Sequence, residues 1–101
     1  MVIPLRKIVW DIYALNEFEK IIDYIKKDSP LAAKKVKSEI FEIIKKLPSN
    51  PLMFAKDALK ENNDGSYRAF FAFSYRIAYK ITEDCILILR IRHTSREPEQ
   101  Y

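Results

Sequence analysis

The chain has 101 residues, a length that suits one domain and can bury a modest core without staples. Its 49% hydrophobic and 32% charged content is ordinary globular composition, which argues against disorder, and no stretch approaches the roughly 18 apolar residues of a membrane span. The formal charge of +4 and a pI near 9.2 admit an anionic partner, either nucleic acid or an acidic protein.

Ile8, Trp10 and Ile12 alternate with Lys7, Val9 and Asp11, which predicts a first strand. A helix is predicted from Tyr13 to Lys27, because Leu15, Phe18, Ile22 and Ile25 fall on one helical face. Ser29-Pro30 marks a restart: serine is a favoured N-cap, and proline suits the first helical position. The second helix is predicted from Pro30 to Leu47, with Ala33, Val36, Ile40, Ile43, Ile44 and Leu47 as its apolar stripe. Pro48 and Pro51 stop it. The lysines of both helices are interleaved with acids and read as solvated faces.

Residues 48–66, with Asn50, Asn62, Asn63 and Gly65, read as a loop with a helical turn near Ala55 to Leu59. Three strands are predicted at 67–73, 75–81 and 85–92. Ser74 and Thr82-Glu83-Asp84 are short enough to be hairpin connections, so these strands are expected to be antiparallel. Tyr75, Ile77, Tyr79 and Ile81 share one side of the second of them, and Arg76, Ala78 and Lys80 the other. In the last, Ile86, Ile88, Arg90 and Arg92 share parity against Leu87, Leu89, Ile91 and His93. That strand is apolar on both faces at its start, which suits a central position. Periodicity does not settle which face carries His93.

The expected fold is therefore α+β: one strand, a helical hairpin and a three-stranded antiparallel meander, with both helices on one face of the sheet. The expected core comprises Leu15, Phe18, Ile22, Ile25, Val36, Ile40, Ile43 and Leu47, with Tyr75 or Ile77 and Leu87 or Leu89. Cys85 has no internal disulfide partner and reads as a small core residue, which fits a reducing compartment. The N-terminus lacks the order of a signal peptide, so a cytoplasmic location is expected. One His and one Cys do not make a zinc site of the usual kind, and no P-loop or Ser-His-Asp arrangement is present, so no metal or cofactor is expected.

Two features carry a resemblance. One is Tyr75-Arg76-Ile77-Ala78-Tyr79, followed by an apolar strand and His93-Thr94-Ser95-Arg96-Glu97-Pro98-Glu99-Gln100-Tyr101. The other is the helical hairpin with Tyr24-Ile25, Ser29-Pro30, Ala32-Ala33, Leu47-Pro48 and Asn50-Pro51. In their order and spacing the whole chain, 1–101, resembles the RelE/ParE superfamily of bacterial toxin–antitoxin toxins, and its hairpin resembles the ParE (plasmid stabilisation) branch.

The resemblance implies a growth-arresting toxin of a type II module, silenced by a cognate antitoxin. RelE-like members are ribosome-dependent mRNA endoribonucleases, or mRNA interferases, and need no metal. ParE-like members inhibit DNA gyrase. The basic character of this chain favours an acidic, partly disordered antitoxin. If the chain is a nuclease, the candidate catalytic residues are Arg68, Arg76, His93, Arg96 and Tyr101. The arginines supply positive charge, His93 a group that titrates near neutrality, and Tyr101 a stacking surface or proton donor. Arg76 matches the arginine of the RelE-type Tyr-Arg motif. Where nuclease members place a pair of lysines on the preceding strand, this chain has Arg68 and Phe70, and arginine is a poor general base. That departure favours the gyrase branch. Lys56 and Lys60 lie upstream in the loop.

Overall fold

A computed structural model describes residues 5–95. It contains β1 (Lys7–Trp10), α1 (Ile12–Asp28), α2 (Pro30–Lys46), β2 (Tyr67–Ala72), β3 (Tyr75–Ile81) and β4 (Cys85–His93). The sheet order is β1-β4-β3-β2, with β1 parallel to β4 and the other pairs antiparallel. The last strand is central, as its two apolar faces predicted.

The first strand stops at Trp10, two residues short of the predicted end. Asp11 caps α1 there, its carboxylate accepting from the Tyr13 N–H at 2.9 Å, and Ile12 is already helical and exposed. Ser29 caps α2 as expected, accepting from the Ala32 N–H at 3.1 Å, with Pro30 in the first helical position. One residue therefore separates the helices, and they fold back as a hairpin.

Both helices pack on one face of the sheet. Phe18, Val36, Ile40, Ile44 and Leu47 meet Phe70, Ile77, Tyr79, Ile86, Ile88 and Ile91. Trp10, Phe18 and Phe41 form an aromatic cluster with ring centroids 5.3–6.1 Å apart. Ile22, Ile25 and Ile43 flank this core and are half-buried, and Leu15, expected within it, is half-buried and not part of it.

In β4 the buried residues are Ile86 and Ile88, not Leu87 or Leu89, which are half-buried. The reason is a β-bulge. Tyr79 pairs with Ile88 and Ala78 with Arg90, so Leu89 is an extra residue. Side-chain parity flips across it. Ile91 therefore joins Ile86 and Ile88 in the core, while Arg90 and Arg92 pair with Ala78 and Arg76 on the far side of the sheet. The β2–β3 connection is Phe73-Ser74, both at positive φ (53° and 67°), the geometry of a two-residue hairpin turn.

Residues 55–59 do not form the expected helical turn. They are part of a strap around the edge of β2. On the helix side Phe54 stacks on Phe70, with centroids 4.9 Å apart. The strap then runs along the edge, where Ala69 N–H donates to the Ala55 carbonyl (3.3 Å) and Asp57 N–H to the Tyr67 carbonyl (2.8 Å). Beyond Asp57 it turns under the far face.

Candidate functional site

The far face of the sheet, away from the helices, carries Tyr67, Ala69 and Phe71 from β2, Arg76, Ala78 and Lys80 from β3, and Arg90 and Arg92 from β4. The strap roofs part of it. Between them lies a cavity of about 360 Å³, walled by Ala55, Ala58, Leu59, Ala69 and Phe71, with Arg76, Arg90, Arg92 and His93 also lining it. Lys60 and Lys80 stand over the Tyr67 ring, at 4.8 and 5.0 Å from its centroid, and extend the cationic character towards the start of β2.

Arg76 is the candidate that the structure places on this face, and its charge is met from below. Asp57 is the buried polar residue among those described, and its carboxylate pairs with the Arg76 guanidinium. The same Oδ1 accepts from the Leu59 N–H at 2.9 Å, so one carboxylate both shapes the strap and anchors the arginine. The Asp57 side chain is fully buried and that of Arg76 is 14% exposed. Such a pair is a structural element as much as a binding one.

Arg68 does not converge with Arg76. It lies opposite Tyr79 and on the helix side, where its guanidinium donates to the Phe54 carbonyl (2.8 Å) and the Gly65 carbonyl (3.0 Å). Gly65 sits at φ +100°, a conformation that favours glycine, and presents that carbonyl from the loop. Phe70 is core, 1% exposed. Tyr79 beside it donates its hydroxyl to the Pro51 carbonyl at 2.9 Å, and burial pushes its pKa up.

His93 ends β4, exposed at the cavity rim, with its ring edge-on to Tyr75 at 5.2 Å. Its Nδ1 accepts from the Ser95 N–H at 3.0 Å and meets the Ser95 hydroxyl at 2.7 Å, so the neutral ring carries its proton on Nε2. Burial also pushes the Tyr75 phenol up, with Tyr24 adding to it. Arg96 and Tyr101 lie outside the described residues. Of the five sequence candidates, the structure thus brings Arg76 and His93 to one cavity and separates Arg68 from them.

The site includes residues that sequence reasoning did not single out. Asp57 carried only a loop signal. Arg90 and Arg92 reach this face through the bulge, and Phe71 forms its wall. Lys56, noted upstream, lines the cavity. Among the described residues no three His, Cys, Asp or Glu side chains come together as a metal site, and no helix is long and apolar enough to cross a membrane. The arrangement can hold an anion against an apolar wall.

A helical hairpin on one face of a four-stranded sheet is the architecture of the small RelE/ParE-type toxins. The model of the ParE toxin of type II toxin–antitoxin systems (parDE) matches residues 8–98, and the chain belongs to that family. It is the toxin component of such a module, and its family pairs it with a cognate antitoxin. No curated protein matches the chain. Among solved structures it is similar to the chromosomal ParDE toxin–antitoxin system from P. aeruginosa, at 21% identity over 88% of this chain and 96% of that one, with a TM-score of 0.67. It is also similar to the YoeB dimer from Staphylococcus aureus, at 17% identity over 88% of this chain and 97% of that one, with a TM-score of 0.61. At these identities the two structures bear on the fold.

Proposed function

We propose that this toxin, acting as a single domain in the cytoplasm, arrests growth through protein contact with DNA gyrase and is silenced by an acidic, partly disordered antitoxin. The observation that carries this reading is the fate of the two positions where nuclease members hold lysines. Arg68 is tied to two backbone carbonyls on the helix side, and Phe70 is buried in the core. Neither is available to act on a phosphate beside Arg76, whose own charge is met by Asp57. A transition state that gathers negative charge needs cations aimed at it.

The second reading is a ribosome-dependent, metal-independent mRNA endoribonuclease. His93 favours it, since a titratable ring stands at the rim of a cavity that Arg76 and Arg92 also line. Expression with and without the neighbouring gene tests the two. Purified protein that inhibits gyrase supercoiling without ribosomes supports the first. Codon-specific mRNA cuts on translating ribosomes, lost in Arg76→Ala and His93→Ala, overturn it in favour of the second.

A further inference from the structure

We propose that the outer edge of β1 pairs with the same edge of a second copy of this chain, joining two sheets into one about a two-fold axis through Val9. This concerns the sheet edge opposite the strap and is independent of the gyrase reading.

The backbone supplies the first argument. β1 is an edge strand with β4 as its neighbour. The Lys7 N–H donates to the Asp84 carbonyl and the Asp11 N–H to the Ile88 carbonyl, both at 2.9 Å, so the odd-numbered residues bond towards β4. Ile8 and Trp10 turn their N–H and C=O groups outward, and among the described residues no group bonds them there. The strand has neither the proline nor the bulge that commonly blunts such an edge.

Self-complementarity supplies the second. In an antiparallel copy centred on Val9, Ile8 of each chain faces Trp10 of the other, so every outward N–H of the strand meets a carbonyl. Centring on Trp10 instead would set Ile8 against Ile12, which is already helical, and centring on Ile8 would set Trp10 against Arg6, outside the strand. The Ile8 and Trp10 side chains are half-buried on the helix side, and the Val9 register makes each pair a β-branched residue against an aromatic one.

The side chains of the other parity supply the third. The same register sets exposed Val9 against Val9 and exposed Lys7 against Asp11 of the second copy, twice by symmetry. A lysine on an edge ordinarily discourages pairing, but here it meets a carboxylate. Asp11 accepts the Tyr13 N–H through Oδ1, which leaves Oδ2 for the lysine. The two-fold also brings exposed Leu5, ahead of β1, towards exposed Ile12 and Tyr13 at the start of α1 of the second copy. These apolar side chains gather at one edge of the sheet, where a second copy would cover them.

The axis runs perpendicular to the sheet, because facing side chains of paired strands share a face. Both helical hairpins then lie on one side and both strap cavities on the other. In the order β2-β3-β4-β1 and its mirror, the two β2 strands stand about 34 Å apart at about 4.8 Å per spacing.

The test combines sedimentation equilibrium of the purified full-length protein with disulfide trapping. Wild type is expected to form a concentration-dependent dimer in the micromolar range, since the contact is smaller than an obligate interface. In a Cys85→Ala background, Val9→Cys is expected to link to its own copy under mild oxidation. Facing residues of a non-hydrogen-bonded antiparallel pair lie about 4.5 Å apart at Cα, within disulfide reach. Phe71→Cys and Leu31→Cys, at exposed positions on the other sheet edge and on α2, are expected to link at least about tenfold more slowly. Lys7→Glu, which meets Asp11 with a like charge, is expected to weaken dimerisation about tenfold, and Asp11→Lys likewise. Mixing these two variants is expected to restore association to near the wild-type level, because each then meets an opposite charge. Thermal melts confirm that the variants are folded, Asp11→Lys with a lower midpoint because α1 loses its cap. A wild type that stays monomeric up to about 0.5 mM would overturn the proposal. So would a dimer in which Phe71→Cys or Leu31→Cys links as fast as Val9→Cys, or charge variants whose mixture does not recover. A chain that is monomeric alone and whose Val9→Cys thiol is shielded from alkylation by the antitoxin would overturn it too, and would assign this edge to that partner.

Discussion

Asp57→Ala is the most incisive perturbation of this fold. It deletes the buried partner of Arg76 and leaves the guanidinium, only 14% exposed, without that carboxylate. Breaking one side of a buried pair costs about 3–5 kcal/mol. The Leu59 N–H loses its acceptor too, worth about 1 kcal/mol. Arg76 lines an open cavity, so water can reach it once the carboxylate is gone, which places the total near the lower end, about 3 kcal/mol. Against a typical domain stability of roughly 5–15 kcal/mol, that is a large fraction. Asp57→Asn keeps an acceptor for Leu59 and removes only the charge, so about 2 kcal/mol is expected. The double change Asp57→Leu with Arg76→Met removes both charges and is expected to recover most of the loss. Urea unfolding of wild type, both single variants and the double variant gives the coupling directly. A cost under about 1 kcal/mol for Asp57→Ala, the range of a solvated surface pair, would refute the reasoning that this pair anchors strap to sheet.

Three further outcomes are expected. Phe70→Ala should lower stability by about 3–5 kcal/mol, whereas Phe71→Ala next to it should stay within about 0.5 kcal/mol, as read from thermal melts. Replacing Phe73-Ser74 by asparagine and glycine, which tolerate the positive φ at both turn positions, should raise stability by about 1 kcal/mol in the same assay. Tyr79 is held above the ordinary tyrosine value of 10.0 by burial, so its contribution is fully present below that pH and is lost as pH rises through the raised folded value. Urea melts across that alkaline range should show a decline that Tyr79→Phe flattens.

The helices and strands were legible because their signals are local. Ser29-Pro30 announces a helix start by itself, and the Tyr75–Ile81 alternation names its own faces. Other features depended on which of two equal patterns the core would choose. In β2 both parities carry apolar residues, Phe70 with Ala72 and Ala69 with Phe71. Once Phe70 entered the core, Arg68 was carried to the helix side with it, and the expected convergence with Arg76 was lost. The bulge at Leu89 left no mark on an unbroken apolar run, yet it decides that Ile91 is inside and that Arg90 and Arg92 join the far face. Asp57 looked like one more loop acid. Its role comes from a strap that meets Arg76 across a distance in sequence that no local pattern spans.

The order in which the chain is made has a consequence for its own safety in the cell. β4 lies between β1 and β3, yet it is synthesised after both. Until Cys85–His93 emerges, Ile8 and Trp10 have no strand to join, and the α1–α2 hairpin has only part of the sheet to cover. A nascent or prematurely terminated chain therefore exposes unpaired edges and apolar surface, the features that aggregation and proteolysis act on. Completion of the far face waits on the same strand, because Arg90 and Arg92 belong to it. Incomplete products of this gene are thus expected to be cleared as misfolded chains before the far face of the sheet is complete.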